Sequence, residues 1–368
     1  MRRVVPWVLV ALVAVALGLF LAPIDQAFVE RAYSGRFYQQ LQPRITGLSN
    51  LVPFAAFDVI VGATTVIVIW VVTSAIRGRR AKPRWRAVGA ACLRLVAVGS
   101  CLYIWFLAAW GLNYRRVPLL AQLELAPDAP TPATVLALGR EAVDRLNTLH
   151  APAHASGWVD PWRDTGLHAS FRTTQRVLGR AREATPGPLK WSIVGPYFRW
   201  ASVDGMIDPF ALEVLANPDL LPFEKPFVAG HEWAHLAGYA DESEASFVGW
   251  LTCMRAGAAA QYSASLFLYW EVSSVVPVAD RAALAAALAA GPRADVAAVT
   301  ERVRRGQLPT LRRASWAAYD QYLKANHVEA GVRSYDAVIT LLARARFKDR
   351  WVPVRLATRH DTSGSRTP

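Results

Sequence analysis

The sequence contains few of the residues that hold small secreted domains together. Its 368 residues include only three cysteines, Cys92, Cys101 and Cys253, and none of them belongs to a CxxC pair. Three cysteines exclude a disulfide framework, and the absence of CxxC argues against a thiolate zinc site. Cys92 and Cys101 lie in or beside an apolar run, where we expect them to act as small hydrophobic residues.

Acidic residues are scarce at the N-terminal end of the chain. Residues 1–114 hold 12 of the 41 lysines and arginines but only 3 of the 28 aspartates and glutamates. The rest of the chain is close to balanced, so the net charge of +13 is not spread along a phosphate-binding face. A basic excess beside apolar runs is typical of membrane topology, and we expect a lipid bilayer as partner and no nucleic acid.

Hydrophobic residues, in contrast, are abundant. They make up 53% of the sequence, and three long apolar runs cover residues 4–22, 59–76 and 95–112. Each run is about long enough to cross roughly 30 Å of hydrocarbon at 1.5 Å per residue. Arg2 and Arg3 could begin a cleaved signal peptide, but no small-x-small cleavage site follows, which favours an uncleaved helix.

The loops between the runs predict the orientation. Residues 77–86, RGRRAKPRWR, contain six basic residues and no acid, and should stay in the cytoplasm. Residues 23–53 then form an external loop, and everything after about residue 113 is extracytoplasmic. The sequence therefore predicts a multi-pass protein of the cytoplasmic membrane, with an anchor at 1–114, an extracytoplasmic domain at 115–356 and a disordered tail at 357–368.

The predicted domain is α+β and mainly helical. Gly, Pro, aromatic and β-branched residues at 190–215 favour strands and turns, which would form one small sheet before the next helix. Helical spacing predicts helices at 133–148, 171–183, 227–238, 244–270, 280–288, 295–305, 315–325 and 334–347. Residues 245–270 are apolar enough for a fourth span, but Arg255 and Gln261 interrupt them and favour a buried helix.

One motif carries recognisable chemistry, HEWAH in the stretch VAGHEWAHLAGYADESEASF at 228–247. His231 and His235 are four apart, so both imidazoles project from one face of a helix and can bind one Zn²⁺ at roughly 2 Å. Zinc lowers the pKa of a bound water to about 7, and Glu232 is placed to take its proton as general base. Two surface histidines on an ordinary helix are the alternative, but the apolar residues around the motif indicate a packed helix.

Three acids compete for the third ligand position. Asp241 makes the stretch fit HExxHxxGxxD, the pattern of metzincin sites, although Met254 lacks the context of a Met-turn. Glu242 begins ESEAS, which resembles the ExxA[DN] ligand motif of gluzincin-like peptidases. Glu244 lies two residues on, about 200° around the same helix, so the two glutamates cannot both coordinate. We prefer Glu242, and expect the others to cap or charge a helix start.

The chain resembles a bacterial family of membrane-anchored proteins of unknown function that carry a gluzincin-like HExxH motif. The resemblance rests on AAWGLNYRR at 108–116, on HEWAHLAGYADESEASF at 231–247 and on YLKANHVEAGVRSYDAVITLL at 322–342. It implies a zincin-like metallopeptidase domain, Zn²⁺ ligands at His231, His235 and Glu242, and Glu232 as catalytic base. Ser246 stands where the family has Asn or Asp, a position that supports a ligand histidine.

The sequence also offers residues for substrate binding. Residues 206–214 predict a strand that could clamp an extended peptide, with Tyr197, Arg199 and Trp200 either lining the cleft or packing. Tyr335 or Arg333 could stabilise an oxyanion, although a helix start at this point explains them equally.

Together these features predict a membrane-anchored zinc metallopeptidase that acts on a peptide or protein substrate. A non-catalytic zinc-containing membrane sensor and a structural zinc protein are the alternatives.

Overall fold

The computed structural model describes residues 4–78, 83–326, 337–348 and 351–356. Within these ranges the chain is mainly helical, with one three-stranded sheet, as the sequence predicts. The strands are β1 (Leu189–Lys190), β2 (Gly205–Asp208) and β3 (Glu213–Ala216). The helices are α1 (Val4–Leu21), α2 (Gln26–Phe28), α3 (Tyr38–Asn50), α4 (Ala56–Gly78), α5 (Arg84–Ala109), α6 (Pro132–Ala155), α7 (Thr165–Val177), α8 (Gly195–Ala201), α9 (Lys225–Leu236), α10 (Glu242–Met254), α11 (Ala258–Val275), α12 (Val278–Ala287), α13 (Ala290–Gly306), α14 (Pro309–Ala325) and α15 (Ala337–Arg344).

Two helices are long and apolar enough to cross a membrane, Ala56–Arg77 and Arg84–Ala109. They coincide with the predicted runs at 59–76 and 95–112, and the surface of α4 is almost entirely uncovered by the rest of the protein. The first run forms α1. It meets the criteria for a span only when it is combined with the helical segment Gln26–Asn50, and the two are bent by 107° relative to each other. The apolar helices therefore agree with membrane association.

The segment at 23–53 is largely helical and packs against the C-terminal part of the chain. Its predicted location outside the membrane stays a prediction. Residues 29–37 form a π-helix that leads into α3. Tyr38 donates a hydrogen bond to the Leu236 carbonyl at 2.8 Å, and Thr46 donates to the Leu212 carbonyl at 2.7 Å. The predicted boundary at residue 114 therefore cuts through contacts of the folded unit. Hydrophobic periodicity did not indicate these contacts, because the buried face of α3 contains polar residues such as Gln42 and Thr46.

The core surrounds α9 and α10. All of α10 is buried, and it crosses α9 where glycines face each other, since a Cβ on Gly249 would lie 2.8 Å from the backbone nitrogen of His231. The single helix predicted at 244–270 is wrong. It breaks at Arg255–Gly257 into α10 and α11, and Arg255 binds the Trp351 carbonyl at 2.6 Å. α10 is buried throughout and α11 is buried over more than half of its length. Neither is among the described helices that are apolar enough to cross a membrane, which agrees with the predicted buried helix rather than a fourth span.

The sheet has the order β1-β3-β2, with β1 parallel and β2 antiparallel to β3. Strand β2 is thus an edge strand, and it contacts α9. The region at 190–215 that was predicted as strands and turns also contains α8. The aromatic residues of this helix are typical of strands, so the sequence pattern did not indicate it. The helix predicted at 171–183 ends earlier, at Val177, because Gly179 takes a positive φ of 80°. Residues 334–336 and the tail at 357–368 lie outside the described residues.

Candidate metal centre

His231, His235 and Glu242 converge on one point between α9 and α10. The Nε2 atoms of the two histidines are 3.1 Å apart, and Glu242 Oε2 lies 3.3 Å from His231 Nε2 and 3.4 Å from His235 Nε2. Two ligand atoms on a tetrahedral zinc ion are separated by roughly 3.3 Å when the bonds are about 2.0–2.1 Å. The spacing of the three atoms therefore fits a zinc ion at their centre.

A tight turn between the two helices brings Glu242 back to the histidines. Gly238 has a φ of +84°, a conformation that favours glycine, and its N–H donates to the His235 carbonyl at 2.8 Å. Asp241 then caps α10 by accepting hydrogen bonds from the backbone N–H groups of Ser243 and Glu244 at 2.9 and 3.2 Å. The cap starts the helix so that its first residue, Glu242, faces α9.

Each histidine has a second partner on its other ring nitrogen. His235 Nδ1 lies 2.7 Å from the Tyr239 carbonyl, and Ser246 Oγ lies 3.2 Å from His231 Nδ1. A carbonyl partner makes Nδ1 the donor and leaves the Nε2 lone pair free for a metal. Ser246 therefore contacts the histidine although its side chain is shorter than the Asn or Asp expected at this position.

The other two candidate acids are occupied elsewhere. Asp241 caps α10, and Glu244 accepts a short hydrogen bond from the Leu119 N–H. Burial raises the pKa of Glu244 to about 7, although Arg116 lowers it. Neither carboxylate belongs to the group of ligand atoms formed by the histidines and Glu242.

Glu232 is buried in the same place with an oxygen free. Its Oε2 atom has no hydrogen-bond partner among the residues that the structure describes. Burial raises the pKa of the Glu232 carboxyl, and the nearby His231 and His235 lower it less. On β2, a Cβ at Gly205 would lie 2.5 Å from Glu232 Oε1, so the Glu232 carboxylate occupies the space that a side chain at Gly205 would need.

The electrostatics of the cluster suit a cation. Burial lowers the pKa of His235, but the Glu242 carboxylate outweighs it and raises the pKa to about 9. Burial likewise raises the pKa of Glu242, but His235 and His231 hold it well below its usual range. The buried Glu242 carboxylate thus stabilises positive charge on the histidines. A divalent ion bound between them can supply that charge in place of a histidine proton.

Two residues at this centre were missed from the sequence. Tyr319, on α14, donates a short hydrogen bond to Glu242 Oε1, and Trp110, just after α5, donates to the His235 carbonyl at 2.9 Å. Both lie far from the HEWAH motif in sequence. Trp110 belongs to the stretch AAWGLNYRR at 108–116, but that stretch does not indicate what the Trp110 side chain contacts. Only the tertiary packing of α14 and of the end of α5 reveals them.

The centre lies in a cleft formed by two cavities. One, of about 360 Å³, has a mainly aromatic and apolar lining that includes Tyr197, Met206 and Tyr322. The other, of about 640 Å³, contains charged residues such as Glu224 and Arg302. His231 and Glu232 line both, so the candidate metal centre lies where the two cavities meet.

The remaining predicted substrate residues have mixed positions. Of the three predicted near the strand, Tyr197 lines the cleft, Arg199 forms an ion pair with Asp219 at 2.5 Å, and Trp200 is exposed. Arg333 and Tyr335 lie outside the described residues, so their predicted role as oxyanion donors stays a prediction.

These features define a mainly helical protein with apolar helices able to span a membrane and a histidine–carboxylate cluster in a cleft beside an edge strand. The chain belongs to the family described as Protein of unknown function (DUF3810), whose model matches residues 33–343. The match begins in the π-helix before α3, which agrees with a folded unit that includes this segment. No curated protein and no solved structure matches the chain.

Proposed function

We propose that the chain is a membrane-anchored zinc-dependent metallopeptidase with a zincin-like domain. The convergence of His231, His235 and Glu242 beside the unpaired buried oxygen of Glu232 carries the proposal. A zinc ion bound by the three ligands would supply Lewis-acid activation of a water molecule and of the scissile carbonyl.

Three protein residues would supply proton transfer, charge stabilisation and orientation of a ligand. Glu232 accepts the proton of the attacking water as general base and passes it to the leaving amine, a role that a carboxyl with a raised pKa performs well. Tyr319, whose hydroxyl already contacts Glu242, is placed next to the ligands and is our candidate for stabilising the charge that develops on the carbonyl oxygen. Ser246 holds the His231 ring in its ligating orientation.

The cleft favours an extended peptide as substrate. The edge strand β2 lines the cleft through Gly205, Met206 and Ile207, and a peptide can add to such an edge by backbone hydrogen bonds. The aromatic lining on one side suits an apolar side chain. On the other side, Arg302 is paired with Asp204 at 2.9 Å and with Glu224 at 2.7 Å, so these charged groups of the cavity wall are already partnered with one another.

The anchor brings the cleft close to the membrane. The start of α4 meets the protein through Asp58, which accepts from the Ile193 N–H at 3.1 Å, and Trp105 near the end of α5 donates to the Phe210 carbonyl at 3.0 Å. These ends of α4 and α5 are opposite the basic loop at 77–86. If that loop is cytoplasmic, the catalytic residues are extracytoplasmic, in a bacterial cytoplasmic membrane.

A zinc and activity measurement tests the proposal. We expect purified wild-type protein to bind zinc and to cleave a mixture of quenched-fluorescent peptides. His231→Ala should lose zinc and activity, whereas Glu232→Gln should retain zinc and lose activity by at least about 100-fold, the lower range for a general base.

Glu301→Gln provides the matched control, because Glu301 is partly exposed on α13 and pairs only with Arg304 and Arg305 among the described residues. It should keep both zinc and activity. Zinc-loaded wild type without hydrolysis would favour the sensor or structural alternative, and a wild type that binds no zinc would refute the proposal.

A further inference from the structure

A second group of metal-type ligands lies where the end of α6 meets α13, outside the cleft. His150 and His154 are four residues apart on α6, and Asp295 comes from α13. Their ligand atoms all lie within 4.8 Å of one another. The arrangement repeats the one at His231, with two histidines one turn apart and a carboxylate from a neighbouring helix.

The two histidines direct equivalent nitrogens at one oxygen. His154 Nε2 lies 2.9 Å and His150 Nε2 lies 3.6 Å from Asp295 Oδ2, and the ring centroids are 4.2 Å apart. These distances are close to the roughly 3.3 Å between two ligands of a tetrahedral zinc ion.

Among the described residues, hydrogen bonds to Asp295 do not reach all three of the other polar side chains around it. Tyr262 is fully buried and also donates to Asp295 Oδ2, at 2.5 Å. A carboxylate oxygen accepts about two hydrogen bonds, so Tyr262 and His154 saturate it. His150 Nε2, at 3.6 Å, is beyond hydrogen-bond distance. A cation between the histidines and Asp295 gives both nitrogens a partner.

The surroundings hold the ligands in place. The first turn of α13 approaches the His150 ring so closely that a Cβ on Gly291 would lie 2.4 Å from its Cε1 atom. Trp158 packs edge-on against His154, with ring centroids 5.1 Å apart. Asp295 itself is buried. His154 is also 37% exposed, so an ion can reach the group from solvent, while the packing on its other side limits how far the ring can turn.

We infer that His150, His154 and Asp295 form a second metal site, which takes a divalent transition-metal ion of the Zn²⁺ class. Two imidazoles and one carboxylate are a donor set that such ions prefer. The ion joins α6 to α13 and thereby fixes the helix that carries Arg302 into the cleft. This structural role does not depend on the metallopeptidase proposal.

Zinc stoichiometry of the full-length protein tests the inference. The protein is loaded with Zn²⁺ in detergent, dialysed against metal-free buffer and measured by mass spectrometry of the metal. We expect two equivalents in the wild type, one in His154→Ala, one in His231→Ala and none in the double variant. His168→Ala alters a histidine outside both groups and should retain two.

The pattern of losses separates the two sites. In each single variant, the equivalent that remains shows that the protein is folded. If His154→Ala retains every equivalent that the wild type binds, the second site is refuted. If His231→Ala loses nothing while His154→Ala loses one, the second site stands and zinc at His231 is refuted. If His154→Ala loses both equivalents, the Asp295→Asn variant is measured, because its amide oxygen still accepts the hydrogen bond of Tyr262. One bound equivalent in Asp295→Asn supports the second site, and two bound equivalents refute it.

Discussion

Asp241, Glu242 and Glu244 lie within four positions of one another, and their surroundings give them three different tasks. Asp241 ends the turn as a helix cap, Glu242 meets the histidines, and Glu244 points the other way to the Leu119 backbone. The 200° separation of the two glutamates around a helix is a property of the sequence. Which of them faces the histidines depends on the direction in which α10 leaves the turn.

We expect Glu242→Gln to lose zinc and Glu244→Gln to keep it. An amide is a poor zinc ligand, so the affinity of the site should fall by more than the roughly 10–100-fold typical of losing an outer-shell partner. Isothermal titration of zinc into metal-free protein measures this difference. Equal affinities in the two variants would show that Glu242 is not the third ligand.

At the scale of elements, the site depends on how closely α9 and α10 approach each other. The Cβ of any side chain at Gly249 would lie 2.8 and 2.9 Å from the backbone N and Cα of His231, which cannot move aside as a flexible side chain can. The helix pair therefore fixes the spacing between the ligand histidines and Glu242.

We expect Gly249→Ala to lower the free energy of unfolding by about 1–3 kcal/mol, the usual cost of overpacking a core. It should also weaken zinc binding, because it separates the two helices. Thermal unfolding in detergent, followed by circular dichroism, measures the first effect.

Gly47→Ala is the matched control for this substitution. Gly47 lies inside α3, and nothing approaches its Cβ position within 4 Å. We expect this change to be neutral or to stabilise the protein by up to roughly 1 kcal/mol, because alanine favours a helix. Equal midpoints for the two variants would contradict close packing at Gly249.

At the scale of the whole molecule, buried contacts join the apolar helices to the part of the chain that forms the cleft. Glu213 on β3 binds Lys190 at 2.7 Å and accepts from the Ser49 hydroxyl at 2.9 Å and from the Phe57 N–H at 2.8 Å. Lys190 and Glu213 are both buried. The charged pair thus holds the sheet to the end of α3 and the start of α4. Ser49 and Phe57 lie far from Glu213 in sequence, so no local pattern indicated this connection.

A chain that starts at residue 115 should therefore not fold. It lacks Ser49, Tyr38 and Trp110, so several polar groups that they satisfy would be exposed or unpaired at the cost of about 1–3 kcal/mol each. Limited proteolysis compared with the full-length protein in detergent measures the result. A stable, zinc-binding fragment would show that residue 114 is a true domain boundary.

The sequence by itself determined the apolar helices, the mainly helical class and the pairing of His231 with His235, because these follow from local periodicity and composition. Residue spacing also excluded coordination by Glu242 and Glu244 together, but it left Asp241 as a further candidate for the third ligand. Only the tertiary structure decided that α3 contacts α9, that Tyr319 and Trp110 reach the group formed by His231, His235 and Glu242, and that His150 meets Asp295. Those contacts join residues far apart in sequence, and packing between helices, rather than local pattern, brings them together.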